Sequence, residues 1–200
     1  MKFNLIIFFF IIFVSKNLFA DETSDWLKRE IDIILEAYKN ENLTNENRFL
    51  LIEKTINKNF AGTGIAKFVA GEAWKKSDKS TKKIYIDNFK RHLALNIAWM
   101  MQGYSDQTYE LTKSKYDSKN QVTLIDMEIF SDTGSVIVTW RVKESKDRLY
   151  VIDLIVADIS LVVTKRSEFN SMLKKVDYDL SKFNEVLFEQ NQISYNKIAN

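Results

Sequence analysis

The chain has 200 residues with 29 basic and 27 acidic side chains, one histidine, five glycines, and neither proline nor cysteine. The missing cysteines exclude a disulfide framework and any thiolate metal site, so stability must come from a hydrophobic core. A charge balance this even lacks the basic footprint that binding to a nucleic-acid backbone demands.

At the N-terminus Lys2 precedes an apolar run from Leu5 to Val14, which is followed by Ser15, Lys16, Asn17, Leu18, Phe19 and Ala20. A basic start, a short apolar stretch and a small residue before the cut are the pattern of a secretory signal, and the run is shorter than the roughly 20 residues that span a bilayer. Cleavage after Ala20 is expected, although Leu18 suits the cut site less well than alanine would. It removes Lys2 and Lys16 and no acid, which leaves 27 basic residues against 27 acidic ones. The expected division is a signal peptide over 1–20, one domain over 21–190 and a flexible polar tail over 191–200. That length suits one core better than two.

The first half has apolar residues at a helical period. Trp26, Ile31, Ile34, Leu35 and Tyr38 predict an amphipathic helix over about residues 23 to 40. Thr44 can cap a second helix carrying Phe49, Ile52, Ile56 and Phe60; after Gly62-Thr63-Gly64 the pattern resumes with Ile65, Phe68 and Val69 toward Trp74. Ser77 or Asp78 can cap a long helix whose single stripe is Ile84, Phe89, Leu93, Ile97, Met100 and Tyr104.

From about Tyr109 the period shortens to two, with polar breaks at Ser118-Lys119-Asn120, Asp132-Thr133-Gly134 and Ser145-Lys146-Asp147. These breaks predict four strands in an antiparallel meander, with Ile125, Met127 and Ile129 on one apolar face and Val136, Val138, Trp140 and Val142 on another. The last strand, roughly Arg148 to Val156, is apolar on both sides except at Asp153. Helix then returns with Ile159, Val162, Val163, Phe169 and Leu173, and closes with Leu180, Phe183, Val186 and Leu187.

Catalytic signals are weak throughout. His92 is the only histidine, so no helical His pair exists to hold zinc, and no EF-hand loop offers carboxylates to calcium. Gly62-Thr63-Gly64 lacks the further glycine and preceding strand of a dinucleotide fingerprint, and no Gly-Lys-Ser/Thr loop occurs. Asp153 must find hydrogen bonds or become neutral, which makes it a structural anchor or a functional carboxylate. An alternative class stays open on the pair Asp153 and His92: a small-ligand enzyme on a cone-shaped, nuclear transport factor-like fold.

The segments Val69-Ala70-Gly71-Glu72-Ala73-Trp74-Lys75 and Val151 to Leu161, continuing through Val162-Val163-Thr164-Lys165-Arg166-Ser167-Glu168-Phe169, resemble the MlaC family of periplasmic phospholipid-transport proteins. The order of signal, helices, Gly-x-x-Trp segment, long helix and strands matches that family over nearly the whole mature chain. Asp158 stands where the family usually has glycine, Leu149 where a tryptophan is common, and Ala70 where leucine is usual. The resemblance implies an α+β fold in which N-terminal helices, a twisted four-stranded antiparallel sheet and C-terminal helices enclose an apolar lipid pocket. It further implies a non-enzymatic periplasmic shuttle with glycerophospholipid as cargo and no cofactor or metal. Its partners would be an MlaA-like outer-membrane lipoprotein complex and an MlaD-like inner-membrane ABC transporter complex, and its role would be outer-membrane lipid asymmetry. The expected pocket wall comprises Phe68, Phe89, Leu93, Ile97, Ile125, Met127, Ile129, Val138, Trp140, Val151, Ile159, Val163 and Phe169.

Overall fold

The computed structural model describes the backbone of residues 15–104 and 107–199, and side chains from residue 22 onward within those ranges. The expected signal peptide, 1–20, lies largely outside the described residues; only its last six residues are included, as the start of the first helix. The helices α1 (Ser15–Lys39), α2 (Asn45–Asn59), α3 (Gly62–Ala70), α4 (Glu72–Lys76) and α5 (Lys79–Met101) precede a sheet of β1 (Thr108–Asp117), β2 (Val122–Ser131), β3 (Gly134–Ser145), β4 (Arg148–Val156) and β5 (Ile159–Ser160); α6 (Leu161–Lys174) and α7 (Leu180–Ala199) close the chain. The fold is α+β, with N-terminal helices, an antiparallel sheet and C-terminal helices. The sheet has five strands in sequential order, one more than the four expected, because the chain turns back at Ala157-Asp158 and pairs for two residues before entering α6.

Local chemistry explains the boundaries. Thr44 Oγ1 accepts from the amide of Asn47 at 3.2 Å, and Asp78 accepts from that of Thr81 at 2.9 Å, which satisfies amides that each helix start leaves open. The turn at Ala157-Asp158 places both residues at positive φ, 47° and 63°, as a two-residue hairpin of matching twist requires. Asp158 therefore serves where glycine was expected, since aspartate tolerates left-handed angles better than most residues.

Cross-strand pairs show which side chains share a face. The row Leu111, Met127, Val138, Val156, Ile159 runs across all five strands, flanked by the row Tyr109, Ile129, Val136 and the row Ile125, Trp140, Leu154. An irregularity in β4 leaves Ile152 unpaired between Val151 and Asp153. The extra residue lets Val151 face the same core as Leu154 while Asp153, paired with Arg141, takes the other side. The sequence pattern could not show this, so the strand read as apolar on both sides.

Packing divides into three clusters. The first joins α3, α5, α6 and α7 through Tyr85, Phe89, Phe169, Leu173, Leu180 and Phe183; the second joins α1 to the sheet through Leu27, Ile31, Ile125, Met127 and Val138; the third joins α2, α5 and the end of α7 through Phe49, Ile52, Leu95 and Ile198. Helix α5 contributes to the first and third from different faces, whereas Ile84 and Met100 of its expected single stripe are exposed. The expected loose tail 191–200 is instead helix as far as Ala199. Asn184, Asn191 and Ile198, seven residues apart on one face, are all buried. Asn184 donates to the carbonyl of Thr81 at 3.1 Å and Asn191 to that of Asn88 at 2.9 Å, so these amides dock α7 on α5 while looking polar in sequence.

Candidate functional site

A cavity of about 460 Å³ lies between the apolar face of the sheet, α1 and the C-terminal end of α5. Its floor is Tyr109, Ile129 and Val136, then Met127, Val138 and Val156, then Trp140 and Leu154. Ile31, Ile34 and Leu35 of α1 and Ile97, Met100 and Met101 of α5 form the walls, with Leu161 at the start of α6. Met100 and Val136 line the cavity yet are 58% and 43% exposed. The opening is therefore between the end of α5 and the β2–β3 hairpin.

A second cavity of about 190 Å³ lies behind it, among Phe60, Ile65, Phe89, Leu93, Val162 and the more polar Asn96, Thr164, Lys165 and Glu168. Ile97, Met100, Leu154 and Leu161 border both cavities and form the partition.

The partition depends on Asp153. Its carboxylate accepts from Ser160 Oγ at 2.6 Å, from the amide of Leu154 at 2.9 Å and from that of Val162 at 3.1 Å, with Arg141 Nη1 at 3.5 Å. These bonds tie the first turn of α6, and with it Leu161, to β4. Asp153 is thus an anchor, with its lone pairs already engaged.

His92 and Asp153 have separate hydrogen-bond partners. His92 lines neither cavity; its Nδ1 lies 3.2 Å from Asn191 Oδ1 and its ring stacks edge-on against Phe169 at 5.4 Å. Burial, aided by the charge of Lys165, pushes its pKa down to about 4, so the ring is neutral near pH 7. Among the described residues no group of three or more His, Cys, Asp or Glu side chains could hold a metal ion. Also among them, no helix is long and apolar enough to cross a membrane. What the arrangement offers is an apolar cavity that is open to solvent.

Of the expected wall residues, Ile97, Met127, Ile129, Val138 and Trp140 line the larger cavity, and Phe89, Leu93 and Ile97 the smaller. Ile125, Val151 and Phe169 are solid core at 0%, 1% and 1% exposure. Phe68, Ile159 and Val163 lie on the surface at 43%, 60% and 57%. Ile159 lies in the same cross-strand row as Met127, Val138 and Val156, but β5 is the edge strand, so the row runs out of the cavity before reaching it. Ile31, Ile34, Leu35, Met100, Met101, Tyr109, Leu154, Val156 and Leu161 were not singled out as wall. Their helical and alternating patterns were legible, but nothing in a pattern says which apolar face meets space and which meets another side chain.

A family profile described as MlaC protein matches residues 28–186. No curated protein matches the chain. Among solved structures, the phospholipid-binding protein from Ralstonia solanacearum in complex with a phospholipid superimposes with a TM-score of 0.73 at 17% identity, covering 84% of this chain and 96% of that one. At that identity the likeness is one of fold.

Proposed function

The chain belongs to the MlaC family, and on that premise we propose that it carries phospholipid through the periplasm, with acyl chains inside the sheet-lined cavity and the head group at its opening. The observation that carries this reading is the cavity itself, about 460 Å³ of almost wholly apolar lining open at one end. A structural neighbour of the same fold is described in complex with a phospholipid.

The physical requirement on such a carrier is burial. Each methylene left in water costs about 0.8 kcal/mol, so two ordinary acyl chains of about 30 methylenes together forfeit on the order of 20 kcal/mol when exposed. Sheet and helix supply apolar area for this, while the carboxylate of Asp153 is engaged by Ser160 and His92 lies outside the cavity. The carrier role includes exchange with an MlaA-like outer-membrane complex and an MlaD-like transporter complex at the inner membrane, which would sustain lipid asymmetry of the outer membrane.

Mass spectrometry of an organic extract of the purified protein tests this reading. Stoichiometric diacyl glycerophospholipid is the expected result. Protein prepared without detergent that contains no lipid, and takes up none from vesicles, would overturn it.

A further inference from the structure

Among the described residues five buried side-chain polar atoms have no hydrogen-bond partner: Tyr85 Oη, His92 Nε2, Tyr104 Oη, Trp140 Nε1 and Asn184 Oδ1. Buried polar groups are nearly always paired, so each such atom calls for a cause. Tyr85, His92 and Asn184 line neither cavity, whereas Tyr104 and Trp140 both line the larger one. Both of these atoms can donate, and the indole N–H can do nothing else.

The two residues reach the cavity from different walls. Trp140 stands on the sheet floor between its cross-strand neighbours Ile125 and Leu154. Tyr104 follows α5 at the opening, where its ring packs edge-on against Tyr38 at 6.4 Å. Much of the lining is carbon, as at Ile31, Val138 and Leu154, and the polar side chains of Gln107, Thr108 and Ser131 that also line it pair with neither donor. An apolar cavity that served only to exclude water would gain by phenylalanine at both positions, since a donor sealed among carbon is costly and gives nothing back.

We propose that Tyr104 Oη and Trp140 Nε1 donate hydrogen bonds to oxygen carried by the acyl groups of the ligand, so that the cavity selects oxygen-bearing chains and does not merely accept any hydrocarbon. This rests on the carrier reading above. The chemistry required is a carbonyl or hydroxyl oxygen within the apolar space. Two sources supply it, the ester carbonyl that joins chain to glycerol and a hydroxyl on the chain itself. Both donors are sealed from solvent in this state. About 460 Å³ is at the lower end of the range for drug-sized ligands, and a two-chain lipid is larger, so the wall must give way on loading; the proposal requires that movement to uncover the two donors.

The test is competition. Purified protein is incubated with vesicles containing equal amounts of a diacyl phosphatidylcholine and its dialkyl ether analogue of the same chain length, and the bound ratio is read by mass spectrometry. A second vesicle pair opposes the plain dialkyl ether lipid to one with a mid-chain hydroxyl. The expected result is a preference for the lipid with the ester carbonyl or the chain hydroxyl in at least one pair of about three- to tenfold, the size of one hydrogen bond's net contribution. Tyr104→Phe and Trp140→Phe should each lower that ratio, and the double variant should bring it to about one. An ester preference assigns the source to the glycerol ester and a hydroxyl preference to the chain. Equal binding in both pairs by the wild type, or a preference that survives in the double variant, overturns the proposal while leaving the carrier reading intact. No uptake of any of the three lipids overturns both. If Trp140→Phe does not fold, the ratio measured on Tyr104→Phe decides alone.

Discussion

Around Phe169 the rings of Phe183, His92 and Phe89 stand at 5.1, 5.4 and 5.8 Å and interlock between α5, α6 and α7, beside the smaller cavity. On the sheet side, Met127, Val138 and Val156 face about 460 Å³ of open volume under α1. Both regions are apolar and both are built from a helix packed on its neighbours. The difference is in shape. On the helical side bulky rings from three helices interlock, whereas on the sheet side Leu27 and Ile31 of α1 pack on part of the sheet and leave the remainder uncovered. A protein can thus pack one part closely while holding another part hollow, provided that the close-packed part carries the stability.

Removing a ring from the solid side should do the most damage. Phe183→Ala, at a fully buried position, is expected to cost about 3–5 kcal/mol in denaturant unfolding. A cost below about 1 kcal/mol would show that the helical side is as loosely filled as the sheet side.

The solid side should also be sensitive to acid through His92. Its folded pKa is depressed to about 4 by burial and by Lys165, below the ordinary 6.5 that it regains on unfolding. Between these values the unfolded chain binds the extra proton, so the stabilisation is complete above about pH 6.5 and is lost as pH falls through about 4. The wild type should lose on the order of 3 kcal/mol more than His92→Gln across that window, measured by denaturant titration at each pH. Parallel pH profiles would remove His92 from the account.

On the hollow side the effects on stability and on binding should separate. Val138→Phe adds volume where there is space, so stability should change by less than about 1 kcal/mol, against the roughly 1–3 kcal/mol that overpacking costs a solid core. Lipid recovered with the protein should fall. An unchanged lipid content with a folded variant would mean that the acyl chains lie elsewhere.

The smallest effect is expected at Ile159, in the same row as Val138 but at the open edge. Ile159→Glu places the charge at a site 60% exposed, so both the melting temperature and the lipid content should stay near wild type, within about 0.5 kcal/mol for stability. Loss of lipid there would extend the binding surface to the sheet edge.

Periodicity alone located the helices and the strand region, because burial of one face leaves a mark every 3.6 or every two residues. Thr44 and Asp78 were legible as caps for the same local reason. Where an interaction depends on residues distant in sequence, that legibility ended. Asn191 reads as part of a polar tail and Asn184 as a polar position of the closing helix, because their partners are carbonyls about a hundred residues earlier on α5. The unpaired Ile152 is invisible in a run of apolar residues, yet it decides that Val151 and Leu154 share a face. Ile125 and Met127, two residues apart with the same pattern, end as solid core and cavity lining respectively. Sequence determines that a face is apolar, since that follows from each side chain's own transfer free energy. Whether the face meets another side chain or open volume depends on where α1 and α6 come to rest over the sheet, and only the tertiary structure decides that.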